Sequence, residues 1–161
     1  MPDRETLSLI PMTRELCHEF YREFERDPAT FMDMSLFEPF VYDPEWADRY
    51  FDRQQDLGRV LFAAMKGGQP VGEVKLGGID REKRECQLGI HMRNDSVKGK
   101  GYGTRAEQLA LKYAFEMLGM EAVNADAVLK NTRSQHVLEK AGFRLIRRDE
   151  TYKYYRCERK L

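Results

Sequence analysis

Three strand-like segments, residues 60–65, 71–79 and 85–92, are joined by connections of only a few residues, Lys66-Gly67-Gly68-Gln69 and residues 80–84. A parallel crossover needs about a dozen residues, so neighbouring strands here can pair only antiparallel. In the third segment Cys86, Leu88, Ile90 and Met92 fall on one face. Beyond residue 100 the order changes. A helix over 104–118, a strand over 121–128 and a helix over 132–141 precede two closing strands, 143–148 and 151–157. Ahead of the meander lie a strand over 6–10 and a helix over 13–25 that places Leu16, Cys17, Phe20 and Phe24 on one side. A helix over 44–57 follows, with Asp43 as cap and Pro44 in its first turn. The pattern predicts an α/β fold in one domain, 1–161: a mixed, mostly antiparallel sheet of about seven strands flanked by about four helices.

Charge narrows the partners. Twenty-seven basic residues balance twenty-seven acidic ones, so no global positive field attracts nucleic acid. No apolar run approaches the roughly 18 residues of a membrane span, and residues 1–5 lack a secretion-signal layout. Cys17, Cys86 and Cys157 are widely spaced, without a C-x-x-C pair, which argues against a disulfide framework or zinc site and for a cytoplasmic location. No metal is expected. A homodimer is left open.

Lys98-Gly99-Lys100-Gly101-Tyr102-Gly103-Thr104 stands between a strand and a helix. Glycines allow tight turns and close approach of phosphate oxygens to backbone N–H groups, and the helix start adds its dipole and unpaired amides. Lys98, Lys100 and Arg105 contribute charge. The loop therefore reads as a pyrophosphate cradle. Two other readings stand beside it. Thr104-x-x-Glu107 has the spacing of a capping box. Gly101-x-Gly103-x-x-Ala106, with Asp126 downstream, fits a dinucleotide fingerprint, but the antiparallel strands upstream and residues 94–97 before the glycines argue against it. Asn131-Thr132-Arg133-Ser134 opens the next helix and Leu138-Glu139-Lys140-Ala141-Gly142-Phe143 ends it, with Asn131 or Thr132 as N-cap and Gly142 past the C-terminus.

Taken together, the K-x-x-G-x-G loop and the later N-x-x-S…L-E-K-A-G-F stretch resemble the GNAT acyltransferase family, closest to the branch of the bacterial ribosomal-protein N-terminal acetyltransferases. The resemblance implies the GNAT fold and transfer of an acetyl group from acetyl-CoA to a primary amine. The amine would belong to a protein N-terminus or a small molecule. It implies that Lys98, Gly99, Lys100, Gly101, Tyr102, Gly103 and Thr104 hold the CoA pyrophosphate. Ile90, His91 and Met92, on a strand that parts from its neighbour, would hold the pantetheine arm and thioester, with Asn131 near the sulfur. Two positions depart from the pattern. Lys98 stands where Gln or Arg is usual. Leu138 stands where many members carry a tyrosine that protonates the leaving thiol, and Ser134 is then the implied acid. A catalytically inactive CoA- or partner-binding module is the alternative.

The attacking amine must be neutral. An α-amine with pKa near 7.8 is about a quarter deprotonated near pH 7.4, a lysine-type amine about a thousandth, so an α-amine needs only a weak base. Glu85 and Glu73, on the central strands, are the candidates for it, with Glu85 taken as the catalytic partner of Ser134. Between Glu25 and Asp56 nine carboxylates face three arginines, which predicts an acidic acceptor surface drawing in a cationic amine.

Overall fold

A computed structural model describes residues 6–160; residues 1–5, on which the secretion-signal argument rested, lie outside the described residues. The meander forms as its short connections require. Strands β2 (Val60–Lys66), β3 (Gln69–Asp80) and β4 (Glu85–Met92) pair antiparallel in sequence order. β1 (Ser8–Pro11) adds antiparallel to β2. On the other side β5 (Ala122–Val128) lies parallel to β4, and β7 (Tyr152–Glu158) and β6 (Arg144–Arg148) complete the sheet antiparallel, in the order β1-β2-β3-β4-β5-β7-β6.

Period-two alternation divides the central strands between two cores. On one face Phe62, Val74, Leu76, Cys86, Leu88 and Val123 pack against helix α3 (Tyr102–Glu116) through Ala106, Ala110, Leu111 and Ala114. The alanines let the helix approach the sheet closely. Helix α4 (Thr132–Ala141) joins this layer through Leu138 and Ala141. On the opposite face Leu61 and Ala63 meet Cys17, Phe20 and Tyr21 of helix α1 (Arg14–Glu23), and Trp46, Tyr50 and Phe51 of helix α2 (Pro44–Asp56) pack around them. The caps are those the sequence offers: Thr13 accepts from the Leu16 amide, and Asp43 accepts from the Glu45 amide ahead of Pro44.

Several boundaries differ from expectation. β1 begins at Ser8, and α1 stops at Glu23 because Phe24 is already extended. Helix α3 starts at Tyr102, not Thr104, because Gly101 takes the N-cap position with a left-handed φ of 82°. Thr104-x-x-Glu107 is therefore no capping box: Glu107 sits in the second turn, completely buried.

Gly142 ends α4 with φ 113°, its amide donating to the Glu139 and Leu138 carbonyls. A Cβ there would meet only the Cys157 sulfur, at 4.0 Å, so the cost of Gly142→Ala is one of backbone conformation. We expect a loss of about 1–2 kcal/mol, read as a lower urea midpoint with an unchanged slope.

Candidate active site

β4 and β5 part company. Their parallel pairing covers only Glu85↔Ala122, Cys86↔Val123 and Gln87↔Asn124, after which β4 keeps partners on β3 alone while β5 continues along β7 to Val128↔Tyr152. A wedge opens between the strands, and the outer edge of Leu88–Met92 is left without a neighbouring strand. Two cavities, about 360 and 450 Å³, meet at this wedge and share Lys75, Ile90, His91, Glu107, Asn131 and Ser134.

A third hollow, about 400 Å³, continues from the wedge between the N-termini of α3 and α4, lined by Gly99, Gly101, Gly103, Arg133, His136 and Lys140 among others. Gly99 and Gly101 have φ of 74° and 82°, and a Cβ on either would meet nothing within 4 Å, so the loop faces open space. No side chain caps α3, so its first-turn amides remain available to an anion. The loop lysines behave differently from expectation. Lys98 is bound to Asp27 at 2.9 Å and Asp95 at 3.1 Å, and Lys100 and Arg105 are exposed. Positive charge in the hollow comes instead from Arg133 and Lys140 of α4, which the sequence reading did not single out.

Asn131 caps α4, its side-chain oxygen accepting from the Ser134 amide at 3.2 Å. Capping thus belongs to Asn131. Among the described residues the Ser134 hydroxyl has no hydrogen-bond partner, and Ser134 lines the two cavities at the wedge. Leu138, one turn on, is buried and brings no polar group.

The two candidate strand glutamates are set far apart in environment. Glu85 lies at the closed end of β4 and β5, paired with Arg156 at 2.5 Å, and lines none of these cavities. Glu73 stands opposite His91 in the β3–β4 register, 1% exposed. Its Oε1 accepts from Tyr21 at 2.9 Å and Tyr50 at 2.6 Å, while Oε2 is buried without a partner. Burial raises its pKa, and the Tyr50 and Tyr21 hydroxyls and Lys75 oppose the rise. Burial also lowers the pKa of Lys75, against the pull of Glu73. His91 is held neutral, its pKa lowered to about 4 by burial in the cleft and by the charges of Lys75 and Arg26. Its ring keeps surface open to the cavity, so it is hemmed in without being sealed off.

Around this group Tyr21, Phe24, Phe40, Trp46 and Tyr50 form an aromatic wall, with Trp46 and Tyr50 stacked at 5.0 Å. The expected acidic surface does not line it. Asp27, Asp33 and Asp43 cap helical turns, Asp48 and Asp52 are taken by Arg14, and of the nine carboxylates only Glu25 and Asp27 reach the aromatic-walled cavity. These acids are spent on local structure.

Among the described residues no three His, Cys, Asp or Glu side chains converge as metal ligands. No described helix is long and apolar enough to cross a membrane.

Residues 6–144 match the acetyltransferase (GNAT) domain family. Spermidine N(1)-acetyltransferase of Escherichia coli strain K12 is 27% identical over 143 residues, 89% of this chain and 75% of that protein. A putative ribosomal N-acetyltransferase, YdaF of Bacillus subtilis strain 168, is 29% identical over 100 residues, 62% of this chain and 52% of its own length. Among solved structures, AAC(6')-Ib in complex with paromomycin and acetyl-CoA superposes with a TM-score of 0.79 at 17% identity, covering 96% of this chain and 94% of that one. Dodecameric spermidine N-acetyltransferase from Vibrio cholerae gives 0.70 at 18% identity, covering 94% and 93%. These likenesses establish a shared fold.

Glu107 carries a cost that can be measured. Both carboxyl oxygens are buried without partners, and burial raises its pKa from 4.5 to about 8. A folded-state pKa above the unfolded one means that folding takes up a proton. This contribution is complete below pH 4.5 and is lost as pH rises to about 8, with a slope approaching about 1.4 kcal/mol per pH unit between. We expect Glu107→Leu to lack this slope, so that its stability relative to wild type rises steadily from pH 5 to 8 in urea titrations.

Proposed function

The chain belongs to the GNAT acetyltransferase family, and we propose that its acceptor is a primary α-type amine carried on an apolar body, such as a peptide N-terminus with an apolar first residue. As a family member it is an acetyl-CoA-dependent N-acetyltransferase. The observation that carries the acceptor assignment is the aromatic wall of Tyr21, Phe24, Phe40, Trp46 and Tyr50 leading to the buried, half-satisfied carboxylate of Glu73. An aromatic wall favours an apolar body over a strongly hydrated one. The partial likeness to a putative ribosomal N-acetyltransferase accords with a protein acceptor, and the longer likeness to spermidine N(1)-acetyltransferase makes spermidine the competing substrate.

The residues fit acetyl-CoA. Open left-handed glycines under an uncapped helix start suit a pyrophosphate, held by backbone amides of Gly99 to Thr104, Lys100 and Tyr102 included, and by Arg133 and Lys140. The free edge of β4 at Ile90, His91 and Met92 suits the amides of the pantetheine arm, with Asn131 alongside. Acetyl-CoA supplies the activated acyl carbon and the thiol leaving group. The chain's own part is to align, exclude water and manage protons. Glu73 takes the proton of the amine, with the Tyr21 and Tyr50 hydroxyls and Lys75 supporting its charge and neutral His91 opposite it. The Ser134 hydroxyl, free of a capping duty, donates a hydrogen bond toward the sulfur. Glu85, tied to Arg156 at the closed end, serves the sheet instead.

In a thiol-release assay across peptides, polyamines and aminoglycosides, turnover should be fastest with peptides bearing an apolar first residue. Glu73→Gln should lower kcat about a hundredfold, the lower end of general-base effects, with acetyl-CoA affinity unchanged. Preference for spermidine, or a wild-type kcat in Glu73→Gln, overturns the assignment. For the cofactor end, Gly101→Val strains a backbone at φ 82° and fills the open space before the helix start. Calorimetry should show CoA binding lost in a folded variant.

A further inference from the structure

Glu107 is unexplained by anything above. It lies on α3 one turn after Gly103, packed beneath the point where the two cavities meet, and shares their walls with Ile90, Asn131 and Ser134. Its side chain is 0% exposed, and neither carboxyl oxygen has a hydrogen-bond partner. A buried carboxyl with nothing to bond costs stability, and an apolar residue of similar size would remove the cost. Its location is also specific. It lies deeper along the groove than the glycine loop, at the end where Leu88, Ala125, Ala127 and Leu138 close the wedge.

We propose that Glu107, in its protonated form, is the proton donor for the thiolate that leaves during acetyl transfer. This rests on the acetyltransferase reading above. As the amine nitrogen bonds to the acyl carbon the carbon–sulfur bond breaks. The nitrogen's proton passes to Glu73, and the sulfur receives the proton held on Glu107, with the Ser134 hydroxyl beside the path. Each turnover leaves Glu73 protonated and Glu107 ionised, and the two return to their starting states through solvent once products depart.

The chemistry matches the requirement. A serine hydroxyl can hydrogen-bond to a thiolate but is far too weak an acid to be a net proton source near neutrality, and Leu138 offers nothing. A donor works best when its pKa lies near that of the group it protonates, and thiols ionise near 8.5. Glu107, raised to about 8 by burial alone, is so placed. The titratable and charged groups of the surrounding elements are Glu73 and Lys75 of β3, Cys86 and His91 of β4, Asp126 of β5, and Arg133 and His136 of α4. Arg105 and Lys112, on its own helix, are exposed. None of these groups contributes to the shift, so the proton is held by exclusion from water.

The test uses Glu107→Gln and Glu107→Leu in the full chain. Calorimetry should give wild-type CoA affinity for both variants. Infrared difference spectra should show a protonated carboxyl C=O band in wild type at pH 7 that titrates near pH 8 and is missing in Glu107→Gln. In turnover, wild-type kcat should fall above about pH 8, and both variants should lose that limb and about tenfold to a hundredfold in kcat, although they are at least as stable as wild type. A variant kcat and pH profile equal to wild type, or a carboxyl already ionised at pH 7, overturns the proposal. A wild-type protein that binds no CoA or acetylates no amine overturns the underlying function instead.

Discussion

The parting of β4 from β5 is the constraint on which the rest depends. Three residue pairs hold the strands together, Glu85 to Gln87 against Ala122 to Asn124, and the Arg156–Glu85 ion pair lies at that joined end. Beyond it the two strands follow different partners, β3 on one side and β7 on the other. A sheet that stayed closed would bury its own backbone groups in ladder bonds. An open one leaves the edge of Leu88–Met92 available to a ligand and creates the passage in which Glu73 from one face and Glu107 from the other come to line the same space.

Burial raises the pKa of both acids, but their hydrogen bonding differs. Glu73 has two tyrosine hydroxyls on one oxygen and a lysine two residues along the same strand face, which oppose part of the rise that burial imposes. Glu107 has no such support, and its neutral form prevails. The acid whose carboxylate has hydrogen-bond donors is suited to accept a proton, and the one without any is suited to give one up. The arrangement costs folding stability on the α3 side, where an apolar residue would pack without penalty.

Much of the architecture was legible in the sequence because connection length and alternation are local properties. The hairpins at 66–69 and 80–84 leave no choice of pairing, and Gly142 marks the end of α4. The glycine loop was legible for the same reason. What could not be read depends on partners distant in the chain. Glu73 and Glu85 look alike on paper. One is buried under tyrosines from α1 and α2, and the other is bound by Arg156 from β7, seventy-one residues away in sequence. Lys98 looked like a phosphate ligand, but Asp27 claims it. Glu107 mimicked a capping residue because Thr104 precedes it by three, and only the φ of Gly101 reveals that the helix had already begun.

The central claim is that the outer edge of β4 is held open as the binding rail for the acyl donor. Amide hydrogen exchange over Leu88–Met92 tests it directly, since those N–H groups that point away from β3 have no strand partner. The account predicts that these amides exchange rapidly in the free protein and become protected when CoA is added, together with the first-turn amides of α3. Amides already protected without ligand, or protection by CoA that leaves Leu88–Met92 untouched, would contradict it.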